Sequence, residues 1–151
     1  MKKFSKGFTL IEMLIVITII ALLASLILVG MGGARAKTRD ARRVADLHNV
    51  MNALELYYSS NSQYPQDISS WEDLDDTLTT AGIGVSRIPY DPLNSTGSAY
   101  KYGVDTSNYQ DYVLGATLET PDSALDNDIG GTVYTVDCED TADSFLYCIR
   151  P

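Results

Sequence analysis

From Phe8 to Gly33 the chain is almost wholly apolar or small, and residues 13–31 carry no charge. As a helix rising about 1.5 Å per residue, such a run spans a hydrocarbon core of roughly 30 Å, so residues 8–33 are expected to form a transmembrane helix. Gly30, Gly32 and Gly33 make its far end a flexible patch, since each glycine costs a helix about 1 kcal/mol relative to alanine. The pattern then changes. Val44, Leu47, Met51, Leu54 and Tyr58 recur at steps of three and four, which predicts an amphipathic helix over residues 34–60 whose apolar face needs a cover. Arg42 and Asp46 stand one turn apart on its wet side. The run Ser59-Ser60-Asn61-Ser62-Gln63-Tyr64-Pro65 ends the helix, because its serines and asparagine compete for backbone bonds and Pro65 restrains the residue before it.

Beyond that stop, Ser69 or Ser70 is placed to cap a short helix starting at Trp71 and reaching Leu78 or Thr80, with Trp71 and Leu74 packing on the long helix. Pro89-Tyr90-Asp91-Pro92 reads as a turn. After it the period becomes two. Tyr100, Tyr102 and Val104 alternate in one run and Tyr112, Leu114, Ala116 and Leu118 in the next, predicting an antiparallel pair joined by the polar residues 105–111. Residues 132–138 and 145–149 are two further candidate strands, separated by the acidic turn 139–144. The expected class is α+β: a long N-terminal helix whose second half is packed by a small C-terminal antiparallel sheet, with residues 61–151 as one modest outer domain.

Charge sharpens this picture. The net charge of -9 hides a division: residues 1–43 hold eight Lys/Arg against Glu12 and Asp40, net +6, and the remainder holds three against eighteen acids, net -15. An acidic outer domain excludes the cationic phosphate neutralisation on which nonspecific nucleic-acid binding depends. No catalytic constellation is visible. His48 is the sole histidine and lies on the long helix without nucleophile-elbow context, and the glycines at 30–33 lack the Lys-Ser/Thr of a phosphate loop. Asn94-Ser95-Thr96 fits a glycosylation sequon. The misplaced charge is Glu12, one turn inside an apolar helix where an ionisable group is expensive. It either snorkels to the interface or has a partner.

The stretch Gly7-Phe8-Thr9-Leu10-Ile11-Glu12, preceded by Lys2, Lys3 and Lys6 and followed by Met13-Leu14-Ile15-Val16, resembles the class III signal of type IV pilins and type II secretion pseudopilins. Ile88-Pro89-Tyr90-Asp91-Pro92-Leu93-Asn94 is similar to the P-x-D-P loop of major pseudopilins, and Tyr64-Pro65 to the end of their long helix. The chain departs from many members in having no helix-kinking proline near Val29. The resemblance implies a pilin-like fold and a prepilin leader at residues 1–7. It also implies cleavage between Gly7 and Phe8 by a membrane prepilin peptidase, and N-methylation of Phe8. Glu12 would then pair with the Phe8 amine of a neighbouring subunit. The partners implied are identical or related pilin subunits, the peptidase, the inner-membrane assembly machinery and the membrane itself. A secretory signal would place its cleavage site after the apolar run, whereas here the glycine precedes it and cleavage keeps the anchor.

Five basic residues follow the anchor against three lysines before it, so charge counting alone would place the leader outside. The resemblance instead implies a cytoplasmic leader and an extracytoplasmic C-terminal domain. There Cys138 and Cys148 are expected to pair, closing a small loop for roughly 3 kcal/mol; two buried thiols are the alternative, and zinc lacks a nearby histidine. Residues 122–131 carry Asp122, Asp126 and Asp128 where major pseudopilins often hold Ca2+, which takes six to eight hard oxygens. Bound calcium and a solvated loop both remain open readings. The function expected is that of a structural subunit of a type IV pilus or type II secretion pseudopilus. The alternatives are a minor or tip pilin acting as a tethered binding module, and an anchored hydrolase for which no constellation exists.

Overall fold

The computed structural model describes residues 7–93, 100–142 and 144–151, apart from the side chains of residues 26–31. Most of the leader, the sequon at 94–96 and position 143 of the acidic turn lie outside the described residues. The chain divides into two compact units, Met1–Arg35 and Ala36–Pro151. One helix, α1 (Leu10–Asn61), runs through both. It contains no proline, and the glycines at 30, 32 and 33 do not interrupt it. Its C-terminus is closed at the predicted place. The Asn61 amide donates to the Tyr57 carbonyl, and Ser62, at φ 59°, donates its N–H to the Tyr58 carbonyl at 2.7 Å.

In the second unit the stripe on α1 is buried as its spacing predicts. Leu47 and Leu54 are fully buried together with Val50, while Val44, Met51 and Tyr58 flank them. Their cover comes from α2 (Trp71–Thr80) and a three-stranded antiparallel sheet. Ser70 is the cap of α2, its hydroxyl accepting the Asp73 N–H at 3.1 Å. Leu74 and Leu78 enter the core, and Trp71 stacks edge-on against Tyr100 while donating its indole N–H to the Pro89 carbonyl.

Strands β1 (Lys101–Val104), β2 (Tyr112–Leu118) and β5 (Phe145–Ile149) pair with Tyr102 opposite Leu114 and with Ala116 opposite Tyr147. Tyr112, Leu114, Ala116 and Leu118 face the helix as the alternation requires. The other face of β2 is not solvated, because Val113 packs with Val136, Cys138 and Cys148 in a second cluster. Residues 132–138, expected as one strand, form instead a tight hairpin of β3 (Thr132–Val133) and β4 (Val136–Asp137). Its two central residues, Tyr134 (φ 44°) and Thr135 (φ 74°), adopt the left-handed pair of a primed turn without glycine or asparagine, so no turn signature marked it. The hairpin lies so close to β1 that a Cβ at Gly103 would overlap the Tyr134 carbonyl.

Candidate assembly site

The first described turn of α1 is built by four residues. Thr9 precedes the helix and Glu12 stands at its third position, the spacing of a capping box. Glu12 Oε2 accepts the Thr9 N–H at 2.8 Å and the Thr9 hydroxyl at 2.7 Å, and the Glu12 N–H reaches Thr9 Oγ1 at 3.3 Å. The carboxylate thus satisfies donors that a helix start leaves orphaned. Oε1 has no partner among the described residues. The capping role was readable from Thr-x-x-Glu. Phe8 precedes the box with three-quarters of its surface exposed.

The apolar residues that follow, from Leu10 to Leu23, are exposed on every side of the helix, Leu10 by 83 % and Leu22 by 65 %. Even the hydroxyls are turned inward, Thr18 donating to the Ile15 carbonyl at 2.8 Å and Ser25 to that of Leu22 at 2.7 Å. A helix apolar all round needs lipid or other helices as cover. Among the described residues no helix is long and apolar enough to cross a membrane. The apolar stretch with described side chains, residues 10–25, rises about 24 Å, and the expected span continues through residues 26–33, of which only the glycines 32 and 33 are fully described.

In the second unit, α1 is fixed to the sheet by charge as well as packing. Arg43 is 1 % exposed and donates from Nε to Asp91 at 2.5 Å and from Nη1 to Asp40 and Glu119 at 2.7 Å each. Burial opposes its charge, but the bonds to Asp91, Glu119 and Asp40 prevail and hold its pKa above the ordinary arginine value. Asp40 is fully buried and accepts the N–H groups of Glu119 and Thr120 at 2.9 Å, which ties the end of β2 to the helix. The bond from Arg39, aided by Arg43, draws the Glu119 carboxyl down to about 2. This cluster escaped the reading of the sequence, although Asp40, Arg43, Leu47, Val50 and Leu54 share one spacing. Asp46, expected on the wet side, is buried and accepts the Tyr100 hydroxyl at 2.8 Å, while Arg42 reaches it only at 3.7 Å. His48 is exposed, its Nε2 standing 3.4 Å from the Tyr147 hydroxyl.

Cys138 and Cys148 form a disulfide, Sγ–Sγ 2.03 Å, across the turn between β4 and β5. Two of the three acids of residues 122–131 are engaged, each separately. Asp122 caps a 3-10 helix (Ser123–Asn127) by accepting the Ala124 N–H at 2.9 Å. Asp128 accepts the Cys148 N–H at 3.1 Å, and burial raises its pKa. Among the described residues no three His, Cys, Asp or Glu side chains gather as a metal-holding group.

Residues 2–28 match the family model for the prokaryotic N-terminal methylation motif. The chain is 31 % identical to the type II secretion system core protein G of Vibrio cholerae over 141 residues, 86 % of this chain and 94 % of that one. It is 32 % identical to the protein of the same description from Aeromonas hydrophila over 99 residues, 60 % of this chain and 69 % of the relative. Similarity extends to the type IV wide pilus major component PilA4 of Thermus thermophilus, 35 % identical over 84 residues, 56 % of this chain and 64 % of that one. No solved structure gives a significant match.

Proposed function

The chain belongs to the family of type IV pilins and type II secretion pseudopilins, and from that premise we propose that it is a structural filament subunit, polymerised through the start of α1. The observation that carries the reading is an apolar helix, exposed all round, with a single carboxylate in its first turn. Cleavage after Gly7 would free the Phe8 amine immediately before the Thr9 cap and leave the apolar segment attached to the domain. Glu12 caps its own helix through Oε2, which leaves Oε1 to receive the methylated Phe8 amine of a neighbour. Each charge is costly in an apolar bundle and cheap when paired, so desolvation is coupled to correct docking. In this reading the leader faces the cytoplasm, residues 8–33 cross the inner membrane before assembly, and residues 61–151 lie on the far side.

The test is Glu12→Ala expressed as the sole copy, with filaments counted by electron microscopy and processing followed by immunoblot. The expected outcome is normal cleavage with filament number lowered at least tenfold. Abundant filaments of ordinary length would show that the carboxylate is a cap and nothing more.

A further inference from the structure

Among the described residues five non-glycine positions hold a left-handed backbone, and four of them, Asp67 (φ 56°), Tyr109 (φ 57°), Tyr134 (φ 44°) and Thr135 (φ 74°), line one cavity of about 260 Å3. They come from three separate segments: the loop after α1, the β1–β2 connection and the β3–β4 turn. Such conformations persist in L residues only where the surrounding structure holds them, and they concentrate at binding sites. Tyr102 and Asp105 also line the cavity. The Tyr102 hydroxyl is committed to the Pro65 carbonyl at 2.9 Å and that of Tyr134 to Asp111 Oδ2 at 2.7 Å, so what these two tyrosines bring to the cavity is aromatic ring.

The charges lining this cavity are carboxylates. Asp67 is exposed and makes no hydrogen bond or ion pair among the described residues. Asp105 uses Oδ1 for the Ser107 N–H and hydroxyl, at 2.9 and 2.7 Å. No Lys, Arg or His is among the lining residues. Lys101 belongs to an adjoining cavity of about 370 Å3 that shares Ile68, Tyr102 and Thr135. Tyrosine rings beside unpaired carboxylates suit a cationic side chain with an apolar stem.

The same chain presents such side chains. Of the five basic residues at 35–43, Arg39 and Arg43 are engaged with Glu119, Asp40 and Asp91, and Arg42 stands near Asp46. Arg35 and Lys37 are exposed and make no ion pair among the described residues. They precede a region, residues 44–151, of net charge -15. We infer that the acid- and tyrosine-lined cavity receives the basic segment at residues 35–37 of a second copy, a lateral contact between subunits separate from the Phe8–Glu12 pairing. This rests on the filament reading above.

The test places a benzophenone amino acid at Thr38, which is exposed beside Lys37, in full-length protein assembled into filaments and irradiated. The expected product has the mass of two chains, with the link mapped by mass spectrometry to residues 64–68, 102–109 or 133–136. Asp67→Asn, which retains tolerance of the left-handed backbone, and separately Lys37→Glu, should each lower its yield at least threefold. Filaments whose links map elsewhere, or that give no protein product because residues 35–37 lie on lipid headgroups, overturn the inference and leave the filament reading standing. Absence of filaments from unsubstituted protein overturns both.

Discussion

At the scale of single residues, the outer domain depends most on Arg43. It is the one fully buried cation among the described residues, bonded to carboxylates from the helix, the Pro89-Tyr90-Asp91-Pro92 loop and the end of β2. Arg43→Met removes one partner and leaves Asp40 and Asp91 buried, for which about 3–5 kcal/mol of lost stability is expected. Urea titration of the detergent-solubilised full chain, read by the tryptophan fluorescence of Trp71, measures it. Glu119 makes the domain sensitive to acid. Its folded pKa of about 2 lies below the ordinary 4.5, so its contribution is complete above pH 4.5, fades as pH falls towards 2 and is absent below. Its side chain is 28 % exposed, so solvent screening keeps the effect modest. Melting temperature should therefore fall less steeply between pH 4.5 and 2 in Glu119→Gln than in the unsubstituted protein.

These residues were the least legible in the sequence. An arginine beside another arginine reads as part of a wet, basic face, and two of the three carboxylate partners of Arg43 lie 48 and 76 positions away. Only tertiary packing reveals them. Glu12 is the opposite case, since both its exposed apolar neighbourhood and its Thr9 cap can be read within a few residues of chain.

Elements were more legible where one periodicity governed. The three-and-four spacing of α1 and the alternation of β1 and β2 follow directly from which face meets the core. Residues 132–138, expected as one strand, double back as the β3–β4 hairpin, which with the disulfide buries the second face of β2. That hairpin sits on two glycines. A Cβ at Gly115 would lie 3.2 Å from Val136 Cγ1 and 3.3 Å from Cys148 Sγ, while at Gly103 it would overlap backbone. Gly103→Ala is thus expected to cost about 1–3 kcal/mol as overpacking and to displace the hairpin, with Gly115→Ala milder; amide exchange at residues 133–138 would report it. Reduction of the Cys138–Cys148 disulfide should lower domain stability by roughly 2–4 kcal/mol, seen as a lower melting temperature in dithiothreitol that Cys148→Ser reproduces without reductant.

For the whole molecule, the division of charge and hydrophobicity is the organising fact. An apolar helix without cover, a basic segment and an acidic domain follow one another along 151 residues. Each is incomplete in an isolated chain. In the filament account, neighbouring copies would cover the apolar segment, a Glu12 would meet the Phe8 amine that cleavage after Gly7 would free, and a basic segment would enter the acidic cavity. Sequence patterning made the apolar segment visible because it is local, and the Phe8 amine enters only through the resemblance of residues 7–12 to the class III signal. The cavity was hidden because its walls come from segments that only the fold brings together.

The most direct test of the filament account is the intact mass and N-terminal peptide of this chain in filaments sheared from cells that express it. The account predicts a subunit that begins at Phe8, carries one N-methyl group and has lost residues 1–7. Filaments that contain the chain with Met1 retained, or that do not contain it at all, would contradict the account.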